Sequence, residues 1–199
     1  MYFIDTEKVQ EELGEFIWNF QHGDNIMYNF RVLKALYQAK DRTNPSRILN
    51  KPITIQIVSI VEAVLIDFLV RIDQATTHLP AEIDADTIQR MKREMNSDKR
   101  EVRIEDEYGE RFYLRRKMYH FGRIVGILKK YEIFGPTNAE IYVLLAKFAD
   151  MRNRVHIENY HRNLEAREQQ VFTDQRLLDL ENVLSELWNI LKTKYKRPW

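Results

Sequence analysis

Apolar residues recur along most of this chain at helical spacing, and in one stretch at alternate positions. Val9, Leu13, Phe16, Ile17 and Phe20 share one face of a helix that Asp5 or Thr6 can cap. Residues 21–24 (Gln-His-Gly-Asp) read as a break, with Asp24 capping a second helix. Ile26, Phe30, Leu33 and Tyr37 carry that helix to about Lys40, before a polar loop at 41–46. Pro52 suits the first turn of a third helix reaching about Gln74. Its apolar residues surround the axis, as in a helix at the middle of a bundle. Ile83 to Met95 forms an amphipathic helix.

A fourth long helix is expected over 115–132, then a break at 134–138. Thr137 or Asn138 caps the next helix, which carries Ile141, Leu144, Leu145, Phe148 and Val155. The last helix, 174–194, shows Leu177, Leu180, Leu184, Leu187 and Leu191 at helical spacing, and the basic tail after it is expected to fray. The expected class is all-α: one domain over 1–199, with an N-terminal helical pair at 5–40, a bundle from 52–76 and 115–195, and an insertion at 82–114.

The insertion is where the period changes. Val102 and Ile104, then Phe112 and Leu114, alternate with charged neighbours around Tyr108-Gly109, the pattern of a short β-hairpin. A single helix interrupted at Gly109 is the alternative. Of the 36 residues in 82–117, twenty are charged, ten of each sign. Such density usually marks a solvated face. Its arginines, among them Arg103, Arg111, Arg115 and Arg116, with Tyr108 and Tyr113, also suit the phosphates and bases of RNA.

Composition narrows the chemistry. There are no cysteines, which excludes disulfides, thiolate nucleophiles and Cys-based zinc sites. No cofactor motif and no metal-ligand cluster is visible. A net charge of +1 gives no global field toward nucleic acid, so RNA binding requires a local patch. The N-terminus lacks the basic-then-apolar pattern of a signal peptide. Gln56, Glu62 and Asp67 interrupt the most apolar stretch, 53–70, so a buried helix is expected there and not a membrane span. The expected location is the cytoplasm.

The stretch from Ala146 to Asn159 stands out. With Ile141 set at zero on a helical projection, Leu145 falls at about 40°, Phe148 at about 340° and Val155 at about 320°. Arg152 falls at about 20°, inside the apolar stripe, and His156 at about 60°, on its edge; Arg154 and His161 share the opposite face at about 200–220°. A guanidinium within an apolar stripe needs a carboxylate such as Glu62 or Asp67, backbone carbonyls, or an anionic ligand in a cleft.

An Arg-Asn pair shortly before a His, late in an apolar helix of an α-bundle, resembles the HEPN superfamily (higher eukaryotes and prokaryotes nucleotide-binding). The run from Ile60 to Leu69 resembles the family's earlier helix with an embedded acidic residue. The resemblance implies a metal-independent endoribonuclease of toxin or antiviral-defence type. Such enzymes usually act as homodimers with two motifs facing one cleft, alongside an antitoxin or defence-complex protein. It assigns catalysis to Arg152, Asn153 and His156, with Glu62, Arg154 and His161 as secondary candidates.

RNA cleavage needs a base for the 2′-hydroxyl proton and an acid for the leaving 5′-oxygen, roles an imidazole fills near neutral pH. A guanidinium stabilises the phosphorane-like oxygens. The family's Arg–His spacing is usually longer than the three residues between Arg152 and His156. Arg154 and His161, six residues apart, lack the following Asn. The alternatives are a non-catalytic HEPN module that binds RNA, a nucleotide or a protein, and a purely structural bundle in which Arg152 is a buried, partnered arginine. His22, His78 and His120 have no motif context and read as loop or surface histidines.

Overall fold

The computed structural model describes residues 5–74, 80–97, 99–105, 111–117, 121–154 and 168–197. α1 (Thr6–Phe16) starts where the Asp5 carboxylate accepts from Lys8 N at 3.2 Å, and buries Val9, Leu13 and Phe16. α2 (Phe20–Arg42) leads through a 3-10 turn at Ser46–Leu49 into α3 (Asn50–Gln74).

α3 is the hub. It packs against α2, α8, α4, α5 and α6, and this explains why its apolar residues surround the axis. Ile53, Ile57, Ile60, Val61, Val64, Leu65, Leu69 and Ile72 are all buried, each worth about 1.5–3 kcal/mol of transfer free energy. The span Ser46–Asp73 is long and apolar enough to cross a membrane by length and composition, and 61% of its most apolar window is buried within the fold.

α4 (Ala85–Ser97) precedes two strands, β1 (Lys99–Glu105) and β2 (Arg111–Lys117). They pair antiparallel, with Val102 opposite Leu114 and Ile104 opposite Phe112. The turn expected at Tyr108-Gly109 lies outside the described residues. α5 (Phe121–Lys130), α6 (Glu140–Arg154), the single-turn α7 (Glu168–Val171) and α8 (Asp174–Lys194) complete the chain. Thr173 caps α8 by accepting from Arg176 N at 3.2 Å. The bundle is all-α, as the period of its apolar residues predicts. Trp188 of α8 knits it together, lying edge-on to Phe16 at 4.9 Å and Phe30 at 5.3 Å between centroids.

Three expectations are corrected. The first break falls at 17–19, and residues 21–24 lie inside α2. Asp67 of α3 accepts from Trp18 N at 2.7 Å and Asn19 N at 2.9 Å, while Asn19 accepts from His22 N at 3.3 Å. Asn19, not Asp24, therefore caps α2. Second, α5 begins at Phe121 and not at 115, because β2 takes the residues through Lys117. Third, the start of the tail does not fray. Buried Arg71 donates to Tyr195 O at 3.0 Å and Lys196 O at 3.3 Å. Arg197 N donates to Glu15 O at 2.6 Å, and the Arg197 guanidinium to Trp18 O at 3.0 Å.

Candidate functional site

α6 is aimed by the turn before it. Gly135, at φ 128°, adopts a backbone conformation that a side chain would strain. The buried Tyr142 hydroxyl accepts from Phe134 N and donates to Leu128 O, both at 3.0 Å, which ties α6 to the end of α5. Ile141, Leu145 and Phe148 are buried along one row, with the Phe148 ring 5.0 Å from that of Phe121.

Arg152, Asn153 and Arg154 are the last described residues of α6, one turn in sequence beyond Phe148. His156 and His161 lie outside the described residues, as do Val155, His78 and His120.

The two carboxylates offered to Arg152 by sequence have different surroundings. Glu62 is half-buried on α3, a helix that α6 packs against. Asp67, 1% exposed, serves the α1–α2 junction. Burial pushes its carboxyl above the ordinary range, and the two backbone N–H groups pull it back. His22, expected on a loop or surface, sits in the first turn of α2 with Nδ1 3.4 Å from an Asp67 oxygen.

Arg103, Arg111, Arg115 and Arg116 are all on the strand pair. Arg103 is opposite Tyr113, Arg111 opposite Glu105, Arg115 opposite Glu101 and Arg116 opposite Arg100.

A cluster between α4 and α5 carries no signal in the sequence, because its partners lie far apart along the chain. Glu94 accepts from Lys130 Nζ at 2.6 Å and from the Tyr131 hydroxyl at 2.9 Å, with the Arg123 guanidinium 3.5 Å away. The Lys130 hydrogen bond holds the Glu94 carboxyl below its usual range. Arg90 and Lys130 lie over the Tyr131 ring at 6.0 and 5.3 Å.

No set of three or more His, Asp or Glu side chains among the described residues is arranged to hold a metal ion. Compared with family models, curated proteins and solved structures, the chain finds no match.

Proposed function

We propose that this chain is a HEPN-type, metal-independent endoribonuclease of the toxin or antiviral-defence kind, acting in the cytoplasm as a homodimer. The observation that carries the reading is the Arg152-Asn153 pair at the described end of α6, beyond the buried row of Ile141, Leu145 and Phe148. His156 follows within about one further turn of sequence.

In this reading His156 takes the proton of a 2′-hydroxyl while that oxygen attacks phosphorus. The 5′-oxygen leaves with a proton from the second protomer's imidazole, producing a 2′,3′-cyclic phosphate. Arg152 stabilises the non-bridging oxygens, Asn153 orients the phosphate, and Glu62 balances charge behind them. Arg154 and His161 are the alternative register. The short Arg–His spacing favours a second reading, a HEPN module that binds RNA, a nucleotide or a protein such as an antitoxin without cutting.

The test is cleavage of single-stranded RNA in the presence of a chelator, alongside thermal melting. His156→Ala should lose ~10²–10⁴ in rate with little change in Tm. Arg154→Ala and His161→Ala should behave as wild type. Activity lost in His161→Ala but kept in His156→Ala would reverse the register. RNA binding without cleavage would establish the second reading.

A further inference from the structure

α1 sits on the bundle as a bound peptide sits on its receptor. Val9, Leu13 and Phe16, at i, i+4 and i+7, are buried where α1 packs against α2 and α8. That spacing is the one by which an amphipathic helix anchors itself on a partner. Phe16 meets the edge of the Trp188 indole, which also meets Phe30 of α2. Glu12, at i+3 on the same face, accepts from Trp188 Nε1 at 2.9 Å and from Lys192 Nζ at 3.0 Å. The opposite face, with Glu7, Lys8, Gln10, Glu11 and Gly14, is exposed. By itself α1 is a poor helix, eleven residues long with a glycine in its interior. Docking supplies what its own sequence lacks.

The residues after α8 close over the end of this helix. Arg71 of α3 holds Tyr195 O and Lys196 O, which sets Arg197 against the C-terminus of α1. There Arg197 N donates to Glu15 O at 2.6 Å, and the guanidinium donates to Trp18 O at 3.0 Å. These bonds fill carbonyls of the kind a helix end leaves without partners, and they place a cation at the negative end of the α1 dipole. Lys196 Nζ lies 3.0 Å from a Glu15 carboxylate oxygen.

We propose that α1 is a detachable helix clasped by residues 195–197, and that its seat on α2 and α8 is a recognition site for one kind of helix. That helix carries apolar residues at i, i+4 and i+7 and a carboxylate at i+3, and its resident occupant is α1. The two jobs fall to different residues. Val9, Leu13, Phe16 and Glu12 provide the affinity for the seat, whereas Arg71 and Arg197 keep α1 from leaving it. Loosening the clasp therefore raises the fraction of molecules with an open seat and leaves the seat itself intact. The inference is independent of the nuclease reading.

The experiment compares the full chain with its Arg197→Ala variant by hydrogen exchange and by anisotropy of a labelled peptide of residues 5–17. Exchange protection of the α1 amides should fall about 10-fold in the variant, while that of α3 and α5 holds. The peptide should bind the variant about 10-fold more tightly than wild type, because apparent affinity follows the fraction of open seats. A peptide with Glu12→Lys should bind neither. Arg197→Lys, which keeps the backbone donor and the charge, should fall between, and Arg31→Gln on α2 should match wild type.

Exchange that rises equally in α1, α3 and α5 would make Arg197 a support of the whole fold and overturn the clasp. Exchange and peptide binding that both match wild type would overturn it as well. Selective loosening of α1 with no peptide bound would overturn the recognition site, since an emptied seat must accept the helix that left it.

Discussion

Two polar clusters in this fold use the same kinds of residue in opposite ways. Around Asp67 and Arg71, one turn apart on α3, the charged groups address backbone. The carboxylate takes Trp18 N and Asn19 N, and the guanidinium takes Tyr195 O and Lys196 O. Both residues are 1% exposed. Around Glu94, at the α4–α5 surface, the charged groups address one another, and three of the cations are about half-exposed. Buried charge that satisfies backbone fixes chain path and has no freedom to exchange partners. Exposed charge that satisfies other side chains holds little structure and can trade them for a ligand.

Arg71→Met tests the first half of this contrast with the largest expected effect. It leaves two carbonyls without their charged donor, at a cost of about 3 kcal/mol. Urea unfolding measures it, and a loss below about 1 kcal/mol would mean that the tail is held by other contacts.

The second test uses pH, where the two carboxylates carry opposite signs. Glu94 has its folded pKa lowered from 4.5 by the Lys130 hydrogen bond. Its stabilisation is therefore present above 4.5 and lost as pH falls through the folded value. Asp67 has its folded pKa raised from 3.8 by burial. The native state then binds its proton more readily, and acidification from neutral toward 3.8 adds stability through this group. The stability difference between wild type and Glu94→Gln should shrink in acid, and that between wild type and Asp67→Asn should shift the other way. Equal signs in the two series would break the contrast.

The smallest effect is expected of Lys130→Ala, whose Tm should stay close to that of wild type, because an exposed ion pair contributes little. Thermal melting checks it.

Most of the bundle was legible because its helices declare themselves locally. Ile141, Leu145 and Phe148 mark the row that α6 buries, and Leu177, Leu180, Leu184, Leu187 and Leu191 mark the face that α8 buries. What was misread depends on partners distant in the chain. Gly23 looks like a break by itself, yet α2 begins earlier because Asp67, 48 residues beyond Asn19, supplies the acceptor at the junction. The residues after Lys194 look like a loose basic end because nothing nearby announces that Arg71 collects their carbonyls. At the site, the helix and its buried row of Ile141, Leu145 and Phe148 were legible. The Arg–His relationship depends on His156 and His161, beyond the described end of α6.

The reach between Glu12 and Trp188 also bears on when α1 can be completed during synthesis. The Glu12 carboxylate, buried on α1, accepts from Trp188 Nε1 at 2.9 Å and Lys192 Nζ at 3.0 Å across 176 and 180 residues of chain. Contacts of such separation close a long loop, whose entropic cost slows their formation. In a chain emerging from the ribosome, α2 and α3 can pair through a short connection. α1 must wait for α8 before its acidic side chain has partners and Phe16 can meet the indole. α2 can already pack against α1 by then, so what stays open until α8 arrives is the part of α1 that meets Trp188.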